Sequence, residues 1–315
     1  MKGVFLLDIE VELAWGFIDQ QFDKNKMKQT SRNIRKYLDD ILALLEKYQM
    51  PVTWGILGHV ALDHCKRVKV PHPEMARPSY KWVRRDWYEH DPCGRLEDEP
   101  AFYGKDIVDR ITNFTSKTDI EHDIACHSFS HQLFGDQGCS EAVAESEIES
   151  CLRIMKENYG LRPEVFIFPR DFVGHLKILR KNGFVAFRGP IQRTVSYSET
   201  GDSVGNSMRK YASLSSYLAS FYLRSPPPVV SVTTEEGLKN VAGSLCFNKK
   251  PYIPLSLITS KAKKGIQRAI RDKRIFHLYT HDINFGGAPD IMSFLRSFEE
   301  ILAYAHSQRA HGRLT

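Results

Sequence analysis

Apolar residues in the first sixty positions form two short continuous runs separated by a helical repeat. Val4–Leu7 is an unbroken apolar run, typical of a strand buried on both faces. Thr30–Tyr48 carries apolar residues at the 3.6-residue spacing of an amphipathic helix, and Pro51 ends it. Val52–Leu57 predicts a second buried strand. Strand, helix and strand in this order form a βαβ unit, which predicts a parallel sheet.

The same alternation continues from residue 120 to the end of the chain. The pattern predicts strands over 120–126, 165–168, 184–187 and 274–279, and helices over 140–159, 173–182, 208–223 and 291–307. Residues 193–206 are predicted to form a polar loop. Repeated strand–helix units of this kind predict an α/β fold, with a (β/α) barrel or a barrel-like sheet.

Residues 64–118 interrupt the alternation. This segment is rich in proline, aromatic and charged residues, and we interpret it as a long loop with short helices, closed by a helix at about 104–115. Its aromatic residues are candidates for stacking on sugar rings or for packing within the loop: Tyr80, Trp82, Trp87 and Tyr88. No linker divides the chain, and no internal repeat is present.

Acidic residues follow the first predicted strand. Asp8, Glu10 and Glu12 alternate with apolar residues, so an extended chain places their carboxylates on one face. Three carboxylates on one face are costly unless they meet a cation or water. They are therefore candidates for metal ligation and for general-base chemistry.

Two histidines follow the strand predicted to end at Cys126. His127 and His131 are four residues apart, which places both imidazoles on one face of a helical turn. Two imidazoles and a carboxylate form a common open metal site, in which water or substrate completes the coordination. This pattern predicts a divalent-metal site at the ends of the strands.

Further polar residues follow two later strands. Arg170 comes directly after a buried strand, where it can orient a catalytic carboxylate and lower its pKa. A surface salt bridge is the alternative role for Arg170. His281, with Asp282 beside it, ends the last predicted strand, and it is a candidate general acid.

Composition and charge are those of an ordinary globular protein. The chain has 42% hydrophobic and 26% charged residues, a net charge of +6 and a pI near 8.9. The densest basic stretch, residues 261–274, carries interleaved apolar residues, and we interpret it as the exposed face of an amphipathic helix. Nucleic acid is therefore not expected as a partner.

The six cysteines are not arranged in a C-x-x-C motif or at zinc-ribbon spacing. The N-terminus shows no signal peptide, and no run of about 18 apolar residues predicts a membrane span. We therefore expect free thiols and a cytoplasmic location.

Taken together, these motifs resemble those of the NodB-homology polysaccharide deacetylases, carbohydrate esterase family 4. The family's motifs correspond, in order, to Asp8-Ile-Glu10, His127-Ser-Phe-Ser-His131, Phe168-Pro-Arg170 and Leu278-Tyr-Thr-His281. A branch of the family is more similar still, through Glu12-Leu-Ala-Trp-Gly16, Thr53-Trp54 and Asn284-Phe-Gly286. The resemblance covers roughly residues 1–60, 120–190 and 275–305, and it is specific as a set rather than motif by motif.

The resemblance implies a distorted (β/α) barrel of the polysaccharide deacetylase type. A single domain is expected over residues 1–315, with an irregular insertion at about 64–118 and a less regular segment at about 191–270. In this family one acid acts as base, another binds the metal together with two histidines, and a late histidine supplies the acid.

Two registers of the acidic strand fit this scheme. The preferred register makes Asp8 the base and Glu10 the metal ligand beside His127 and His131, because the apolar run stops at Asp8 and the family uses an aspartate base. The ungapped match instead makes Glu10 the base and Glu12 the ligand. In both registers His281 is the acid, and Arg170 supports the base.

The implied activity is metal-dependent hydrolysis of an N-acyl group, N-acetyl in the first place, from an amino sugar or glycan intermediate. Zinc is the preferred divalent ion, and an N-acylated sugar or glycan is the expected partner. Two alternatives remain: a deacylase or deformylase acting on a lipid-linked sugar, a nucleotide sugar or a non-sugar amide, and a non-catalytic glycan-binding homologue. The sequence leaves the oligomeric state open.

Overall fold

A nine-stranded sheet with flanking helices organises the chain in the computed structural model, which describes residues 2–66, 69–191, 219–223, 225–250, 252–288 and 290–315. The strands are β1 (Val4–Val11), β2 (Thr53–Ile56), β3 (Asp123–Cys126), β4 (Val165–Ile167), β5 (Ala186–Arg188), β6 (Thr233–Glu235), β7 (Leu238–Asn240), β8 (Leu245–Cys246) and β9 (Ile275–His281). The helices are α1 (Lys24–Lys47), α2 (Lys105–Lys117), α3 (Glu141–Tyr159), α4 (Leu176–Lys181), α5 (Leu255–Asp272), α6 (Asp282–Gly286) and α7 (Ile291–Ala310).

The strand order is β6-β7-β5-β4-β3-β2-β1-β9-β8, and every neighbouring pair is parallel except β6 with β7. The sheet curls into the distorted barrel predicted from the sequence. Because its strands are parallel, the carboxyl ends of β1, β3, β5 and β9 meet at one edge. This carboxyl edge is where functional residues of such folds collect.

The predicted βαβ unit is present, with β1 and α1 longer and β2 shorter than predicted. β1 continues beyond the apolar run to Val11, because its acidic residues are buried within the strand rather than exposed after it. α1 begins at Lys24, where the Asp23 side chain accepts hydrogen bonds from the backbone N–H groups of Asn25 and Lys26. Its polar first turn carries no apolar repeat, which explains the later start predicted from hydrophobic periodicity.

Later elements follow the predicted succession with shifted boundaries. α3 agrees closely, with a Ser140 cap and Gly160 in the left-handed conformation at φ 67°. α4 starts three residues later than predicted, because His175 before it is left-handed at φ 54°. β9 extends to His281, and the basic stretch of residues 261–274 lies largely in α5 as predicted.

The predictions for the two irregular segments have different outcomes. The predicted closing helix of residues 64–118 is α2, and the described residues between β2 and α2 contain neither an α-helix nor a strand longer than a single bridge. The predictions for 193–206 and for most of 208–223 lie outside the described residues. Across the described part of the chain, no helix has the length and apolar character that crossing a bilayer requires.

Candidate active site at the carboxyl edge

The acidic residues of the first strand lie in the centre of the sheet and are all buried. β1 pairs with β2 on one side and β9 on the other, which places Glu10 beside Gly55 and His281. A Cβ at Gly55 would lie 2.9 Å from Ile167 Cδ1 and 3.3 Å from Glu10 Cγ. The glycine therefore leaves the space that the buried Glu10 side chain occupies.

The two histidines lie on a loop after β3, not on the helical turn that their spacing predicts. Ser128 and His131 have left-handed backbones, at φ 65° and 66°, which no helix accommodates. Glu147 of α3 fixes this loop, because its Oε2 accepts hydrogen bonds from the backbone N–H groups of Phe129 at 3.0 Å and Ser130 at 2.7 Å. The loop geometry, rather than helical periodicity, brings the two imidazoles together.

Glu12 meets both histidines. Its Oε1 lies 2.9 Å from His127 Nε2 and 3.1 Å from His131 Nε2, and all three side chains are buried. We call Glu12, His127 and His131 the Glu12 triad. Their ligand atoms lie within 4.8 Å of one another, as metal ligands do.

The hydrogen bonds of the Glu12 triad fit a bound cation. His127 Nδ1 lies 2.7 Å from the Ile167 carbonyl oxygen, which can only accept, so Nδ1 carries the proton. In the neutral form of this ring, the lone pair of Nε2 faces the Glu12 carboxylate. Two acceptors at this distance require a proton or a metal ion between them, and an outer carbonyl on Nδ1 is the usual support of a metal-binding histidine.

The backbone that follows β1 aims Glu12 into the triad. Asp282 Oδ2 accepts hydrogen bonds from the backbone N–H groups of Glu12 at 3.2 Å and Leu13 at 3.0 Å. Leu13 is left-handed at φ 49°, so the chain turns away from the strand direction directly after Glu12. Burial and the neighbouring Glu12 carboxylate raise the pKa of Asp282 to about 7, against the effect of these hydrogen bonds.

Glu10 forms a second group with Arg188 and His281. Its Oε1 accepts a hydrogen bond from Arg188 Nη1 at 2.6 Å and lies 3.7 Å from His281 Nε2. Its other oxygen lies 3.4 Å from His127 Nε2. Burial opposes ionisation of Glu10, but Arg188 and the nearby histidines outweigh burial and lower its pKa.

His281 lies on the solvent-exposed side of the group that it forms with Glu10 and Arg188. A quarter of its side chain is exposed, and its Nε2 lies 3.9 Å from Glu12 Oε1. Burial disfavours its protonation, but the carboxylates of Glu10 and Glu12 outweigh that and raise its pKa well above the ordinary value.

Asp8 lies deeper in the sheet than the other two acids. Its Oδ2 bonds to His277 Nε2 at 2.7 Å and lies 3.6 Å from Arg188 Nη1. The structure thus pairs Asp8 with a histidine of the neighbouring strand and leaves it outside the Glu12 triad.

Arg170 points to the rim of the site. Its Nη2 bonds to Asp19 Oδ1 at 2.6 Å and to the Gly16 carbonyl oxygen at 3.3 Å. The Phe168-Pro-Arg170-Asp171 turn has left-handed φ values at Arg170 and Asp171, and it directs Asp171 rather than Arg170 inward, to within 3.2 Å of Arg188 Nη2.

Arg188 is the residue at this edge that sequence reasoning missed. It is buried, contacts three acids (Asp8, Glu10 and Asp171), and stacks over the Tyr279 ring at 4.1 Å. Its position directly after the apolar run 184–187 is the same signal that singled out His127 and Arg170. The aromatic residues of the irregular segment are mostly buried: Tyr80, Trp87 and Tyr88 pack inside, and only Trp82 is exposed.

Comparisons with known proteins agree with this architecture. The family model described as polysaccharide deacetylase matches residues 20–185, just over half of the chain. No curated protein matches the sequence.

Solved structures resemble the fold at low sequence identity. One described as a polysaccharide deacetylase from Mycobacterium smegmatis has a TM-score of 0.57 at 11% identity, covering 100% of this chain and 87% of its own. A second so described, from Pseudomonas aeruginosa PAO1, has a TM-score of 0.54 at 11% identity, covering 99% and 87%. Puue allantoinase has a TM-score of 0.53 at 12% identity, covering 99% and 85%.

The curled, mainly parallel sheet carries acids, histidines and an arginine at its carboxyl edge, the arrangement expected of a distorted-barrel hydrolase. The chain belongs to the polysaccharide deacetylase family. It is accordingly a hydrolase acting on carbon–nitrogen bonds other than peptide bonds.

Proposed function

We propose that the protein is a metal-dependent N-deacylase, and that Glu12, His127 and His131 hold a divalent ion, zinc in the first place. The observation that carries this proposal is the position of Glu12 Oε1, within hydrogen-bond distance of Nε2 of both histidines. When bound, such an ion supplies Lewis-acid polarisation of the acyl oxygen.

The proposed ligand set follows the second of the two sequence registers. Of the two triad histidines, Glu10 has a close contact with His127, at 3.4 Å, and Asp8 is hydrogen-bonded to His277. Glu12 is therefore the proposed ligand, and Glu10, rather than Asp8, is the proposed base.

In this proposal Glu10 removes the proton from the attacking water. The carboxylate must be ionised to do so, and Arg188 stabilises that form through its 2.6 Å contact. Arg188 thereby takes the supporting role that the sequence predicted for Arg170. His281 donates a proton to the leaving nitrogen, and its partly exposed ring faces both carboxylates.

The proposed substrate is an N-acylated, most simply N-acetylated, amino sugar within a glycan or a glycan intermediate. Family membership supports a glycan substrate. The partial exposure of His281 and of the rim residue Arg170 supports entry of the acyl group from this side of the edge.

The test is release of free amine from a panel of N-acetylated oligosaccharides and sugar nucleotides by the zinc-loaded protein. We expect His127→Ala to abolish turnover and to lower the zinc content by one equivalent. His311→Ala, at the exposed end of α7, is the matched histidine control and should change neither. Undiminished activity and zinc content in His127→Ala would contradict the proposal.

A further inference from the structure

A second cluster of metal-ligating side chains lies outside the candidate active site. It comprises His59, Cys65, His72 and Asp91, and we call it the His59 cluster. Their ligand atoms all lie within 4.8 Å of one another. His59, His72 and Asp91 are buried, and Cys65 is half-buried. The proposed deacylase chemistry uses none of these residues.

In their neutral forms, the two imidazoles point their unprotonated nitrogens at the same place. His59 Nδ1 lies 3.4 Å from the Phe102 carbonyl oxygen, and His72 Nδ1 lies 3.2 Å from Glu74 Oε1. Both partners can only accept, so both Nδ1 atoms carry protons. The Nε2 atoms lie 3.1 Å apart, at 2.9 and 2.6 Å from Asp91 Oδ2. Three lone pairs meeting in a buried space are satisfied together by one cation.

The remaining contacts hold Asp91 in the orientation that ligation needs and place Cys65 beside it. Asp91 Oδ1 accepts hydrogen bonds from Tyr103 Oη at 2.8 Å and from the Cys93 backbone N–H at 2.9 Å. Its Oδ2 therefore faces the imidazoles. Cys65 Sγ lies 3.5 Å from this oxygen, close enough for both to reach one ion. Outer hydrogen bonds such as those to Asp91 Oδ1 fix the ligands of protein metal sites.

The chemistry of the set selects the metal. Two imidazole nitrogens, one thiolate and one carboxylate give four protein ligands in a largely closed space. Calcium and magnesium prefer oxygen ligands, whereas a mixed nitrogen and sulfur set favours zinc. Four protein ligands leave no open position for a substrate, which is the pattern of a structural rather than a catalytic zinc.

The position of the cluster shows what such an ion would stabilise. The described residues between β2 and α2 have little regular structure, so a cross-link there replaces missing backbone pairing. The Phe129 ring packs 5.4 Å from the His59 ring and 5.3 Å from the His72 ring. The backbone N–H of His59 also donates to the Phe129 carbonyl oxygen at 3.0 Å. Phe129 lies between His127 and His131, so the cluster packs against the loop of the candidate active site.

We propose that His59, Cys65, His72 and Asp91 bind a structural zinc ion, which fixes the irregular segment against the histidine loop. This site is independent of the Glu12 triad, because the two share no ligand. They also differ in chemistry, since only the His59 cluster contains sulfur.

The experiment uses that difference. The full chain carrying His127→Ala, which disables the Glu12 triad, is loaded with Co²⁺ and examined by absorption spectroscopy and metal analysis. We expect one equivalent of cobalt and a thiolate-to-cobalt charge-transfer band in the near ultraviolet. Adding Cys65→Ser should remove the band, and adding Asp91→Asn should weaken binding at least ~10–100-fold, the usual cost of disturbing a metal site. Cys139→Ser, at a buried cysteine elsewhere, is the control.

Stoichiometric cobalt without the charge-transfer band, or a band that survives Cys65→Ser, would overturn the assignment, as would a protein that binds no cobalt when His127 is replaced. The wild-type protein gives a parallel measurement if a variant fails to fold: two equivalents with the band support the site, and bound cobalt without the band contradicts it. If only the Glu12 triad failed to bind metal, wild type and His127→Ala would both bind one ion with the same band. Failure of the Glu12 triad is therefore distinguishable from failure of the His59 cluster.

Discussion

Glu12 Oε1 lies 2.9 Å from His127 Nε2, joining the end of the first strand to a loop more than a hundred residues later in the chain. His127 is fixed from behind by the Ile167 carbonyl oxygen, and Glu12 is fixed by its backbone contact with Asp282. Both partners are therefore held in place by parts of the fold outside the pair. Preorganised ligands of this kind are what a metal centre requires.

The register of the acidic residues is tested by comparing Glu12→Gln with Glu10→Gln. If Glu12 is the ligand, its variant should lose zinc affinity by more than the ~10–100-fold that changes around a ligand cost. Glu10→Gln should keep zinc and lose ~10²–10⁴-fold in kcat, the contribution of a general base. Metal analysis after dialysis against a chelator, together with steady-state kinetics, measures both.

Asp8→Asn provides the comparison for this pair. Because Asp8 lies outside the Glu12 triad, Asp8→Asn should retain zinc. Its loss in kcat should be much smaller than that of Glu10→Gln. Zinc retained by Glu12→Gln but lost by Glu10→Gln would restore the register in which Asp8 is the base.

Arg188 and Arg170 are predicted to differ sharply when replaced by methionine. Arg188→Met leaves the buried Glu10 without its cation, and breaking a buried pair costs about 3–5 kcal/mol. Arg170→Met breaks a partly exposed pair with Asp19, which contributes about 0–1 kcal/mol. Urea unfolding of zinc-loaded protein measures the difference, and kcat should fall mainly in Arg188→Met. Equal losses in both variants would refute the role of Arg188 as the support of Glu10.

The sequence predicts the succession of strands and helices because apolar runs and helical repeats are local features. It underestimates the length of β1 because Asp8 and Glu10 interrupt the apolar run while remaining buried. Their burial depends on His277 and Arg188, which are distant in sequence. A window of neighbouring residues contains no information about such partners.

The sequence predicts which strands carry the candidate site at their carboxyl ends. It does not predict the ligand register that we propose, because that register depends on partners distant in sequence: Asp8 bonds to His277 of the neighbouring strand, whereas Glu12 reaches both His127 and His131. The proposed role of Arg188 in place of Arg170 depends on the left-handed residues Arg170 and Asp171 after β4, where the turn brings Asp171 rather than Arg170 to Arg188. These backbone angles arise from tertiary contacts, and residue spacing does not encode them.

Glu147→Gln is predicted to change the pH dependence of stability. Burial raises the pKa of the Glu147 carboxyl in the folded protein, against its hydrogen bonds from Ser130, Tyr88 and Phe129. The folded state thus binds this proton more tightly than the unfolded chain. The associated stability is complete below the unfolded pKa and is lost as pH rises through the folded pKa. Glu147→Gln resembles the protonated acid. We therefore expect it to gain stability relative to wild type as the pH rises through the folded pKa of Glu147.

Glu157→Gln is the matched control for that measurement, because Glu157 lies on the same helix with an exposed side chain paired to Arg153. Urea unfolding of the three proteins from acid to neutral pH gives the difference directly. A difference between Glu147→Gln and wild type that is constant with pH would contradict the raised pKa.

His281→Ala is predicted to reduce the rate of deacylation, and the loss should be larger for substrates with a poorer leaving group. An amine must be protonated as the carbon–nitrogen bond breaks, so loss of the acid should lower kcat by ~10²–10⁴-fold for an N-acetyl amino sugar. An aryl acetate expels a phenolate that needs no proton, and its hydrolysis should fall much less. Because the Glu12 triad is intact in this variant, zinc content should stay at the wild-type level. A parallel loss for both substrates would instead assign His281 to substrate binding or to the architecture of the edge, since neither of those roles depends on the basicity of the leaving group.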